Sequence, residues 1–115
     1  MNQSKGDVVM TTQVSTLTKL KSLESLYHQG YQSDIIDQTV DKIIIFERAH
    51  THTELINLQA DISNFEKKYQ MNSEDFYTRF HAGKMGDQAD FFEWSALYDM
   101  AKSLNKRLES LRFEA

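Results

Sequence analysis

The 115-residue chain is 40% hydrophobic, with no proline and four glycines, which fits one all-helical domain with few tight turns. It has no cysteine, which removes disulfides, thiol catalysis and thiolate metal sites and suits a reducing cytoplasm. It also lacks the run of about 18 apolar residues that a membrane-spanning helix needs. The net charge of −4 argues against a nucleic-acid footprint spread over the whole surface and suits a basic protein partner.

In chain order, Met1 to Gln13 read as a flexible or extended arm without the apolar core of a signal peptide, so a cytoplasmic protein is expected. Leu17, Leu20, Leu23, Leu26 and Tyr27 then recur at helical spacing, and Gly30 stands where a helix C-terminus favours positive φ. Ser33 or Asp34 can cap a second helix, with Asp37 and Asp41 near its positive end and Ile36, Val40 and Ile43 on one face. The run Ile43 to Phe46 has strand-like β-branching. Its charged flanks keep helical periodicity, so helix is the reading adopted. A helix segment apolar all round implies contact on two sides and hence an oligomer.

If that helix runs unbroken from Asp34 to Tyr69, it is about 54 Å long at ~1.5 Å per residue. A domain of ~100 residues has a radius of gyration near 13 Å, so its own chain cannot cover such a helix. The apolar stripe also shifts phase near Thr51, where Thr51 and Glu54 have capping-box spacing. Either the helix breaks there, or it continues and its two halves face different neighbours. The expectation is a long, bent helix with its N-terminal half in a dimer interface.

Leu55, Leu58, Ile62, Phe65 and Tyr69 form one stripe at spacings of three and four; Trp94, Leu97, Ala101, Leu104, Leu108 and Leu111 form another. Between them, Asn72 or Ser73 caps a short helix with Phe76, Phe80 and Tyr77 inward, and Gly83 ends it. Gly86 and Asp87 make a turn, and Asp87 or Asp90 starts a last helix running to about Phe113. The predicted fold is all-α: an N-terminal helical hairpin, a long central helix, a short aromatic helix, and a C-terminal helix returning as an antiparallel hairpin. Residues 14–115 make one helical domain, with dimerisation assigned to 14–50 and the heptad hairpin to 51–115.

Catalytic chemistry finds little support. Glu47 and His50 have the E-x-x-H spacing of helical carboxylate metal sites, but a second such motif is missing, so no metal and no cofactor are expected. Asp87, Asp90, Glu93 and Asp99 suit the start of a helix better than acid–base work. Ser95 lacks a base with an orienting partner, His81 being the only nearby imidazole, and no phosphate-cradling glycine loop occurs. The chain reads as a non-enzyme.

Two binding surfaces are legible. Phe91, Phe92, Trp94 and Tyr98 crowd together, with Phe91, Trp94 and Tyr98 on one side and Phe92 pointing elsewhere. They either close the core over Phe65, Tyr69, Phe76 and Phe80 or, with Met85, form an aromatic patch for a protein partner. The order of extended piece, helix, GY turn and helix from Thr11 onward loosely resembles the ribbon-helix-helix arrangement. That resemblance implies a DNA-reading ribbon, for which Thr12, Gln13, Ser15 and Lys19 are the candidates. Asp34, Asp37 and Asp41 would repel phosphate, so DNA binding is the alternative reading.

The chain also carries FEKKY at Phe65, M-x-S-E-D-F-Y at Met71, G-K-M-G-D at Gly83 and D-F-F-E-W at Asp90, with YHQGYQSDIIDQTVDKI upstream from Tyr27. In these motifs, over about four-fifths of its length, it resembles a group of small prokaryotic helical proteins, many of which look like antitoxins of toxin–antitoxin pairs. The resemblance implies an antitoxin-like subunit that masks a protein partner encoded beside it; a homodimer is expected separately, because the chain has more apolar helix face than one copy can cover. The resemblance implies no catalytic residue.

Overall fold

A computed structural model describes residues 14–113, and every regular element among them is a helix. Helix α1 spans Thr16–His28, α2 Asp34–Tyr69, α3 Ser73–His81 and α4 Ala89–Ser110. No helix among the described residues is long and apolar enough to cross a membrane. The N-terminal arm, and with it Thr12 and Gln13, lies outside the described residues.

Each boundary has a local cause. Ser15 keeps extended backbone and its Oγ accepts the Thr18 amide at 3.1 Å, satisfying one of the donors that a helix start leaves free. At the other end of α1, Gly30 takes φ +95°, and the Tyr31 amide returns to the Leu26 carbonyl at 3.1 Å. Ser33 Oγ then accepts the Ile36 amide at 3.3 Å and opens α2. The Tyr27 hydroxyl donates to Asp37 at 2.6 Å, which ties α1 to the first turns of α2 and raises the tyrosine pKa.

The Ile43 to Phe46 run is helical. Its β-branching is a weak preference, and the helical periodicity of the neighbouring charges outweighs it. The capping-box spacing at Thr51 does not end α2 either. The segment has neither glycine nor proline, the Thr51 side chain is fully buried in the core, and Glu54 is engaged by His50 at 3.1 Å and Arg107 at 3.5 Å. A cap would need Thr51 in extended backbone with its oxygen turned back to the chain.

The Thr51 hydroxyl has no hydrogen-bond partner among the described residues. A buried hydroxyl without a partner costs free energy that an isosteric methyl does not. Thr51→Val is therefore expected to stabilise the protein by about 1 kcal/mol, read as a higher urea midpoint at unchanged slope. An unchanged or lower midpoint would show that the hydroxyl is satisfied.

The chain divides into two compact units, one ending at Val40 and one beginning at Asp41. In the first, no residue of α1 is buried, and Leu17 and Leu20 are exposed. In the second, the stripes read from the sequence meet. Leu55 and Ile62 share a core with Ala101 and Leu104, and Leu58, Leu97 and Leu108 pack against it. A second, aromatic core consists of Phe76, Phe91 and Trp94, with Phe65, Tyr69, Met71, Tyr77, Phe80 and Met85 around it.

Two boundaries of α4 differ from expectation. Gln88, with no side-chain cap bond, takes the position assigned to Asp87 or Asp90, and the helix stops at Ser110 short of Phe113. Asp90 sits in the first turn instead, where its carboxylate is drawn to α2.

Candidate partner-binding site

The site is built around the one tryptophan. Trp94 is fully buried on α4 and lies flat on Phe76 of α3, ring centroids 3.8 Å apart and planes within 2°. Phe65 and Tyr69 of α2 stack against the tryptophan at 5.8 and 5.9 Å. Phe91 meets Tyr69 edge-on at 5.1 Å. Quadrupole-matched contacts of this kind add to what burial alone contributes.

A buried indole N–H needs an acceptor. Here it donates to Ser73 Oγ at 2.9 Å, and that hydroxyl donates to Glu66 Oε2 at 2.8 Å. The same carboxylate oxygen accepts the Ser73 amide at 2.8 Å. This relay crosses from α4 through the start of α3 to α2. Each member polarises the next, so it holds the three elements better than three separate bonds would. Asn72 completes the start of α3, its Oδ1 accepting the Asp75 amide at 2.8 Å.

Two clasps flank the aromatic core. Asp90 accepts from Lys68 Nζ at 2.7 Å and from the Tyr69 hydroxyl at 2.6 Å. These donors, Lys68 foremost, hold the carboxyl below the usual aspartate range, and Asp90 in return raises the pKa of both. Asp99 accepts from the Tyr77 hydroxyl at 2.6 Å, which raises that pKa, and Lys102 lies over the Tyr77 and Tyr98 rings at 4.3 and 5.2 Å. Of the four acidic residues read as a group near the start of α4, Asp90 and Asp99 thus belong to two separate structural contacts.

A depressed folded-state pKa stabilises above the unfolded value and loses that effect as pH falls through the folded one. The Asp90 clasp should therefore be intact above the ordinary aspartate value of about 3.9 and open progressively below it. Asp90→Asn is expected to lower stability at neutral pH, with the gap to wild type shrinking below about pH 4. Urea unfolding at a series of pH values reads this out; a gap independent of pH would assign the effect to packing.

The five residues expected to form a partner-binding patch do not share one environment. Phe91 and Trp94 are buried in the core and present no surface, which corrects their assignment. Their stripe is the one that Phe65, Tyr69 and Phe76 cover. Tyr98 is half-buried and tilted against Tyr77 at 4.9 Å. Met85 is half-buried against the aromatic core. Phe92 alone is open, 57% exposed, and meets the Phe80 ring edge-on at 5.2 Å and 89°.

Among the other candidates, Ser95 lies buried with its Oγ 3.3 Å from His81 Nε2. The sequence offered that imidazole but not the contact, and His81 has no carboxylate partner to orient it among the described residues. His50 faces Glu54 rather than Glu47. No group of three potential metal ligands forms among the described residues. Ser15 is occupied as the α1 cap, Lys19 is exposed on α1, and no strand occurs among the described residues to serve as a DNA-reading ribbon. An open cleft of about 520 Å³ is bordered by Arg48, His52, Asn105, Leu108, Glu109 and Arg112.

No family model, curated protein or solved structure matches the chain.

Proposed function

We propose that the protein is a non-enzymatic, antitoxin-like subunit that binds and masks a partner protein encoded beside it in a prokaryotic cytoplasm. One observation carries the reading: Phe92, an aromatic side chain on α4, stands open to solvent on top of a rigid aromatic core. Large aromatic anchors on a preorganised base are the residues that dominate protein–protein affinity. In this reading α2 and α4 form an antiparallel hairpin, α3 braces its aromatic end, and the partner takes Phe92 into an apolar pocket beside Phe80 and Met85. The negative net charge favours a basic partner surface and speeds its approach.

Co-expression with the product of an adjacent or overlapping reading frame tests this. A stable complex, together with relief of growth arrest caused by that product alone, is the expected result. Neither a complex nor relief of arrest sinks the proposal.

A further inference from the structure

A separate surface lies on the side of α2 turned away from α4. At about 100° per residue, α2 between Lys42 and Lys67 keeps an arc of roughly 140° free of aspartate, glutamate, lysine and arginine. The charges of that stretch, Glu47, Arg48, Glu54, Asp61 and Glu66, share the opposite arc with the buried Thr51, Leu55 and Ile62. A helix packed on one side ordinarily turns its charges to water. Here the pattern is inverted. The uncharged arc points away from the core and carries Ile45, Phe46 and Ile56 at 63, 74 and 51% exposure.

Ile45, Ala49, Ile56 and Ala60 lie within about 60° of one another on that arc, a single stripe with Phe46 at its edge. Both alanines are exposed as well. The order large, small, large, small identifies what covers the stripe. A two-fold axis between His52 and Thr53 sets Ile45 level with Ala60 of an antiparallel second copy, and Ala49 level with its Ile56. Each isoleucine then fills the space over an alanine, and the helix axes can approach to about 8–10 Å. A parallel pairing would set isoleucine on isoleucine and leave gaps between alanines. The area agrees. At roughly 200 Å² for each large side chain, Ile45, Phe46 and Ile56 leave about 380 Å² uncovered. The smaller stable interfaces take about 600 Å² from each partner, of which about 65%, or roughly 390 Å², is apolar in homodimers.

We infer that the protein is a homodimer joined by antiparallel packing of the outward face of α2 on that of a second copy, with Ile45 of each chain over Ala60 of the other. The centre of this face, at His52 and Thr53, lies just past the 14–50 segment to which the sequence assigns dimerisation. The interface is isologous and built from α2 alone, whereas Phe92 lies on α4, so its test does not depend on the partner-binding reading.

The chain has no native cysteine, so single cysteines report geometry cleanly. Light scattering on the full chain should give the dimer mass. Thr53→Cys should be joined to its copy by a short bis-thiol cross-linker, because position 53 stands beside the axis. Lys42→Cys should not, because its copies would lie about 30 Å apart at ~1.5 Å per residue. Ala60→Ile should weaken the dimer about tenfold or more by opposing two isoleucines, and adding Ile45→Ala should restore it to within a few-fold. Circular dichroism confirms that each of these surface variants is still helical. A monomer at every concentration, a dimer that Thr53→Cys does not join, cross-linking through Lys42→Cys, or no restoration by the size exchange overturns the inference.

Discussion

Replacing Trp94 by alanine is expected to cost about 3–5 kcal/mol of stability, the largest effect of any single substitution in the chain. The indole is fully buried between elements, so its removal forfeits the flat contact with Phe76 and the stacking on Phe65 and Tyr69 together. It also strips Ser73 Oγ of its donor inside the core. A small domain has about 5–15 kcal/mol in all, so the variant should unfold at a much lower urea concentration or fail to fold. Trp94→Phe separates the two contributions. It keeps an aromatic body and loses the N–H, so it should be milder than alanine. Equilibrium unfolding followed by circular dichroism measures both. A loss under about 1 kcal/mol for alanine would mean that the aromatic core does not hold α3 in place.

The second large effect concerns binding rather than folding. Phe92→Ala should weaken the partner complex by about 2 kcal/mol or more, roughly thirtyfold, as truncation of a central aromatic anchor does. The free protein should change by less than about 1 kcal/mol, because the side chain is mostly in water and touches chiefly the edge of Phe80. Phe92→Asp, which adds a charge that an apolar pocket must desolvate, should abolish the complex. Isothermal titration against the co-expressed partner, with an unfolding curve for each variant, distinguishes the two kinds of loss. Equal affinity for wild type and Phe92→Ala would move the binding face elsewhere on the molecule.

Much of the helical architecture was legible because it rests on local repeats. Leu55, Ile62, Ala101 and Leu104 keep strict helical spacing, and they are the buried residues of one core. Gly30 and Asn72 carry their boundary signals in their own chemistry, positive φ in one case and a side-chain acceptor in the other. What escaped has no local pattern. Glu66, Ser73 and Trp94 are separated by 7 and 21 positions along the chain, and only folding makes them a relay. Asp90 looked like a helix-starting residue and has that placement, yet its carboxylate belongs to Lys68 and Tyr69. Thr51 and Glu54 had the spacing of a cap; burial of one and ion pairing of the other removed both from that role. Within the aromatic cluster, the stripe correctly set Phe92 apart from Phe91, Trp94 and Tyr98. It could not decide which side faced water, since that depends on where α3 lies.

The burial of Trp94 also gives the molecule its own gauge. It is the only tryptophan, it is shielded from solvent, and it reaches all three helices of the aromatic core. Its fluorescence emission therefore reports on the integrity of that core. Phe92 and the Ile43 to Phe46 run make no ring contact with it. An optical signal that stays silent through association and changes only on unfolding lets the two processes be followed in one sample.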